Sequence, residues 1–183
     1  MRKSLGRVVW MVMIAVVAGC ASVPKYRYYT IDMRPGAKLE PAVQIDSVRI
    51  DVTQALKRPE ILIRTAPTQI DYCALDRWAS GLDQQIAEKL LTEVAQAPET
   101  APHLNVDGNL MAFDQVDLPS GAEVHIKLEV HVASLQFQKM YSHTEPASAS
   151  SAQASVDALS RATEAIAKEL AAGLAGVVAA RAK

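Results

Sequence analysis

The chain has 183 residues, a formal net charge of -1 and 50% hydrophobic residues. That is enough for one self-supporting core, and it gives no broad positive field for nucleic acid. The only cysteines are Cys20 and Cys73, too few for a disulfide framework, and neither lies in a C-x-x-C pair of a zinc ribbon.

Arg2, Lys3 and Arg7 precede an unbroken apolar run, Val8 to Val17, with no acidic residue before Cys20. The run is about 10 residues long, the size of a signal-peptide core and too short to span a bilayer. It closes on Val17-Ala18-Gly19-Cys20, which reads as a bacterial lipobox. A buried helix or a plain secretory peptide also fits an apolar run. The small residues ending on cysteine favour cleavage before Cys20 and acylation of Cys20. Residues 1–19 are then a signal peptide, and residues 20–27 are the acylated cysteine and a short tether. Loss of Arg2, Lys3 and Arg7 moves the formal charge from -1 to -4. Ala21 follows the cysteine, where Asp usually favours inner-membrane retention in enteric bacteria. This points to the periplasmic face of the outer membrane.

Tyr28 to Ile31 is rich in β-formers and predicts a first strand, broken at Arg34-Pro35-Gly36. Val43 to Val52 predicts a second. Val43 and Ile45 share one phase and Val48, Ile50 and Val52 the other, so a bulge is expected near Asp46-Ser47. A connector, Leu56 to Glu60, leads to strands at Ile61–Thr65 and Gln69–Cys73 around a turn at Pro67-Thr68.

Trp78 to Gln96 predicts a helix. Trp78, Leu82, Ile86, Leu90 and Val94 recur every four residues, with Ala87 and Leu91 alongside, while Asp83, Gln84, Glu88 and Lys89 fall largely off the stripe. His103–Val116 and Ala122–Leu135 predict a long hairpin across Leu118-Pro119-Ser120-Gly121. Its second arm alternates Val124, Ile126, Leu128, Val130 and Val132 with Glu123, His125, Lys127, Glu129 and His131, the pattern of a half-buried antiparallel strand. A short strand is expected at Gln138–Ser142, then a Ser/Ala-rich loop over 142–155. The last helix runs to about Arg181, with Ser151 or Ser155 as cap and Val156, Leu159, Ala162, Ile166, Leu170, Leu174 and Val177 on one face.

No catalytic constellation emerges: there is no P-loop and no G-x-S-x-G. His125 and His131 share a strand face but stand about 20 Å apart at roughly 3.3 Å per residue, too far for one metal. Asn105-Val106-Asp107-Gly108-Asn109 lacks the distal Glu of a calcium loop and sits in a strand pattern. Cys73 reads as a small core residue, with a redox role as the lesser reading, and Trp78 as core at the head of the helical stripe, with an interface contact as the lesser reading.

Tyr28-Tyr29-Thr30, the Val/Ile strand, Leu56-Lys57-Arg58-Pro59-Glu60-Ile61 with Arg64 downstream, and Arg77-Trp78-Ala79 followed by Leu82 carry a family resemblance. In order and spacing this block resembles the ABC-type transport auxiliary lipoproteins, the PqiC-like (YmbA-like) family. Lys57 departs from the pattern, standing where Asp is common. The resemblance implies one domain over 28–183. The implied fold is an α/β sandwich, similar to the N-terminal domain of TolB: a mixed, largely antiparallel sheet packed with two long helices. It implies a non-enzymatic outer-membrane lipoprotein subunit of an MCE/ABC-type intermembrane lipid transport system, with no cofactor beyond acyl lipid on Cys20. Its implied partners are an MCE-domain protein and inner-membrane transport components, with ring-like self-assembly as a further implication. A structural tethering lipoprotein and a one-ligand carrier are the competing classes. Arg58, Pro59 and Arg64 are candidate partner contacts, the arginines through carboxylate or phosphate. Leu170, Leu174 and Val177 lie in the charge-free stretch 170–180 with Gly173 and Gly176, and either pack on the domain's own sheet or meet a partner.

Overall fold

The computed structural model describes residues 24–32, 34, 43–93 and 101–181. The lipobox, tether residues 21–23, Pro35-Gly36 and the predicted helix end at Gln96 lie outside these.

Among the described residues, seven strands form one mixed sheet covered on one face by two helices. The strands are β1 Arg27–Tyr29, β2 Gln44–Val52, β3 Glu60–Ala66, β4 Gln69–Trp78, β5 His103–Leu118, β6 Gly121–Val132 and β7 Phe137–Ala147. The helices are α1 Leu82–Glu93 and α2 Ala152–Arg181. This is an α/β sandwich. Its longest ladders, β5–β6 and β6–β7, are antiparallel, while β1–β4, β2–β5 and β3–β5 are parallel.

β5 is the spine. Its first half pairs with β2, its second half with β3, and nearly its whole length with β6. Along β6, Val124, Ile126, Leu128, Val130 and Val132 are fully buried beneath the helical layer. Each such side chain contributes about 1.5–3 kcal/mol relative to exposure. Gly108 sits where β5 is most crowded: a Cβ there would stand 2.7 Å from Ile50 Cδ1 and 3.2 Å from the Glu129 carbonyl oxygen. The β5–β6 turn closes on Gly121, whose φ of 152° side chains rarely adopt.

The expected bulge in β2 is present, a register shift between Ile45 and Ser47 that buries both Val43 and Ile50. A second bulge, between Leu110 and Ala112, shifts β5 in the same way. It turns Leu104, Val106 and Leu110 inward before it, then Phe113 and Gln115.

Two boundaries and the setting of one side chain differ from the sequence reading. Trp78 does not open α1; it ends β4, its amide donating to the Pro59 carbonyl at 2.7 Å, and the helix begins at Leu82. The four-residue stripe misleads because the strand end and the helix bury side chains in the same core, where Trp78 meets Phe113 with ring centroids 5.6 Å apart. Lys89, grouped with the residues largely off the apolar stripe, is buried; its ammonium donates to the Arg34 carbonyl at 2.9 Å. β7 runs eleven residues, past the expected Ser142. It is an edge strand, where Pro146 is tolerated because its missing amide faces away from the ladder.

α2 starts as expected, with Ser151 Oγ accepting the Ala154 amide at 3.3 Å. Ser155 is instead buried and donates to Gln115 Oε1 at 2.5 Å, tying helix to spine. At the other end Arg181 donates to the Ser134 and Leu135 carbonyls beyond β6. Cys73 packs half-buried against the core, and desolvation, with Asp76 and Asp117 adding, pushes its thiol up to about 11. A raised pKa means less thiolate at neutral pH. In a Cys20→Ser chain, Cys73 is expected to react with Ellman's reagent about 100-fold more slowly when folded than when denatured at pH 7.5. Equal rates would contradict this environment.

Candidate functional site

The sequence-predicted arginines sit at the start of β3. After β2 the chain makes a single 3-10 turn, Gln54–Lys57, pinned by the buried Leu56 and by the Leu56 amide on the Thr53 carbonyl. Arg58-Pro59 then straightens into the strand. Pro59 suits this first position because its φ is fixed and only its carbonyl is needed.

Glu60 is the electrostatic centre. Arg58 Nε lies 3.2 Å from Glu60 Oε2, and Arg77 Nη2 lies 3.3 Å from Oε1. The Glu60 carboxyl is held below its usual value, first by its own backbone amide and then by Arg58 and Arg77. Each guanidinium also stacks on a ring: Arg58 4.1 Å from the Tyr72 centroid, Arg77 3.8 Å from that of Tyr26. Tyr72 is itself fixed by its hydroxyl, which donates to the Ala55 carbonyl at 3.2 Å. Arg58 is thus held in place while 56% of its side chain stays exposed.

Beside it opens a groove of about 390 Å³, lined by Val52, Leu56, Arg58, Pro59, Trp78 and Leu82 among others. Lys57, Ser80 and Asp83 line it too, so the groove joins apolar walls to charge of both signs, with the ring-stacked Arg58 as its oriented cation.

Arg64 does something else. Its Nε donates to Asp114 Oδ2 at 2.8 Å, and the Asp114 side chain is only 1% exposed. Arg64 therefore holds β3 to β5 rather than facing outward alone. Leu170 and Leu174 are both fully buried in the domain's own core, so neither side chain has surface to offer a partner. Val177 is partly buried against the same core. Gly173 has a local reason: a Cβ there would lie 3.5 Å from the Tyr141 hydroxyl and 3.6 Å from the Phe137 ring. Of the six candidate contacts, the structure brings Arg58 and Pro59 together at the groove. It ties Arg64, on β3, to the spine through Asp114 and sets the α2 residues against β6 and β7.

Sequence reasoning missed Glu60's role as the shared anion, Tyr26 and Tyr72 as stacking partners, and Asp114. The first three were within reach, because Glu60 lies inside the motif, Tyr72 on the strand after it, and Tyr26 just before β1. Asp114 lies fifty residues from Arg64, and no local pattern marks the pair. His125 and His131 stay on the open face of β6, the former with Nε2 2.9 Å from Glu123 Oε1. Among the described residues no group of three or more His, Cys, Asp or Glu is placed to hold a metal ion.

The architecture is a single α/β layer pair with a groove at the β2–β3 corner. The chain belongs to the family of ABC-type transport auxiliary lipoprotein components, whose pattern it matches over residues 30–171. Comparison with curated proteins returned no match. Among solved structures, protein XCC0632 from Xanthomonas campestris, of family DUF330, is 15% identical with a TM-score of 0.66, covering 85% of this chain and 99% of that one. A second, described as an uncharacterized protein, is 14% identical with a TM-score of 0.64, covering 82% and 99%. Likeness at this identity establishes the shared fold. Membership associates the chain with an ABC-type transport system as an auxiliary lipoprotein, not with a catalytic role. No described helix is long and apolar enough to cross a membrane.

Proposed function

We propose that this protein is the outer-membrane-anchored, periplasmic subunit of an intermembrane lipid transport system. In this reading acyl chains on Cys20 hold it to the membrane. The Arg58–Pro59 groove docks an MCE-domain partner at the end of the transport path. The observation that carries the reading is the family match from residue 30, beginning ten residues after the lipobox cysteine. The groove supports it by offering an exposed, ring-stacked arginine beside apolar walls. The chain moves no lipid by itself; it supplies a fixed receiving surface.

Capture of the MCE-domain protein from solubilised envelopes tests this. Arg58→Ala is expected to cut retention about tenfold, equivalent to about 1.4 kcal/mol. Its melting temperature should hardly change, since an exposed ion pair contributes about 0–1 kcal/mol. Retention equal to that of the unaltered chain would remove the groove from the docking role. Failure of the unaltered chain to retain any MCE-domain protein would remove the partner.

A further inference from the structure

If Cys20 is acylated, as proposed above, the strand directions orient the whole body on its membrane. β1 runs parallel to the end of β4, with Arg27 opposite Asp76 and Tyr29 opposite Trp78. The chain therefore arrives at β1 from the side where β4 begins. The arrival is clamped: Arg27 Nε and Nη2 donate to the two Asp76 carboxylate oxygens at 2.6 and 2.7 Å.

Three turns gather at that same end of the sheet. Ala66 pairs with Gln69 around the β3–β4 turn, Leu118 pairs with Gly121 around the β5–β6 turn, and Ala122 pairs with Ala147, where β7 gives way to the link into α2. Asp76 stands about level with Ile61, and hence with Phe113 on β5. The tips near Leu118 are then about 17 Å along the strands at roughly 3.3 Å per residue and three strands, about 14 Å, across, or about 22 Å away. Seven residue steps lead from Cys20 to Arg27, a reach of about 25 Å at most. The tether can bring an acylated Cys20 to the tips. It cannot bring it to the β6–β7 turn, about 23 Å along the strands in the other direction and four strands, about 19 Å, across.

The surface chemistry at that corner agrees. Among the described residues, seven large apolar side chains are exposed. Four of them, Tyr28 at 61%, Ile70 at 41%, Leu75 at 42% and Leu118 at 41%, lie on β1, β4 and the end of β5. We infer that the β1–β4 edge and the adjoining hairpin tips rest on the bilayer to which Cys20 is tied, with these four side chains at headgroup level. Exposed Asp71 and Asp117 adjoin Ile70 and Leu118 on the same strand ends, so the contact has no strong cationic character. It fits a mainly zwitterionic surface. The tether raises the local concentration of that surface, so a contact too weak to bind from solution suffices. The Arg58 groove, at the opposite end of β3 from the tips, is left facing the periplasm.

The test uses the acylated full chain carrying Cys73→Ser and one further substitution, Ile70→Cys, Leu118→Cys, Glu88→Cys or Met140→Cys, each labelled with a fluorophore. The chains are reconstituted in vesicles of phosphatidylethanolamine with a minority of phosphatidylglycerol and a quencher-bearing lipid. Quenching is expected to be several-fold stronger at positions 70 and 118 than at 88 and 140. Even quenching, or stronger quenching at 88 or 140, overturns the orientation. Mass spectrometry of the same preparations reads Cys20. An unmodified Cys20 sinks the anchor and the orientation together, whereas an acylated Cys20 with even quenching sinks the orientation alone.

Discussion

Arg64→Ala is expected to lower the melting temperature by about 10 °C, far more than any other arginine substitution near the groove. The reason is Asp114, which is fully buried and whose Oδ1 has no hydrogen-bond partner among the described residues. Its carboxylate relies on Arg64 Nε at 2.8 Å. Removing one partner of a buried pair costs about 3–5 kcal/mol, because the other charge is left uncompensated. The Arg64 side chain is 30% exposed, so some water reaches the pair, and the lower end, about 3 kcal/mol, applies. At about 2–4 °C per kcal/mol for a domain of this size, that gives the stated shift. Replacing both partners, Arg64→Met with Asp114→Leu, should recover most of the loss, since two packed apolar groups need no partner. Thermal unfolding of the single and double variants decides. A shift below about 2 °C for Arg64→Ala would mean that Asp114 is not charged and dependent on Arg64.

That contrast also marks how far the sequence could be read. Arg58 and Arg64 look alike in the chain, two arginines flanking one motif. Only the parallel β3–β5 pairing puts Arg64 opposite Val116, within reach of Asp114, while Arg58 stays on a turn. Pairings between distant strands leave no local trace. Features with a local cause were legible. The β2 bulge showed in the phase change from Ile45 to Val48, and β6 in its strict alternation, because those patterns record burial directly. The β5 bulge had the same signature, Leu110 followed by Phe113, but Ala112 and Met111 blurred it. β7 was under-read because an edge strand with Ser142, Thr144, Glu145 and Pro146 has weak β-character and is held by the β6 ladder. Lys89 falls largely off the helical stripe, so its pattern does not announce burial. The Arg34 carbonyl that receives its ammonium comes from a segment far along the chain.

Cys20→Ser is expected to abolish metabolic incorporation of labelled palmitate and to move the protein from the membrane fraction to the soluble periplasmic extract. Each buried methylene contributes roughly 0.8 kcal/mol, so two or three acyl chains hold a protein essentially without release, whereas one chain binds only marginally. No described helix could replace that anchor by spanning the bilayer. Nor could the hairpin tips hold the body alone, since four scattered side chains do not match even one acyl chain. Cys73 provides the internal control. It is half-buried with its thiol pushed up to about 11, so Cys73→Ser should leave the label unchanged. Palmitate that survives Cys20→Ser, or a membrane fraction that does, would detach the body from the anchor. The orientation inferred for its β1–β4 edge would fall with it.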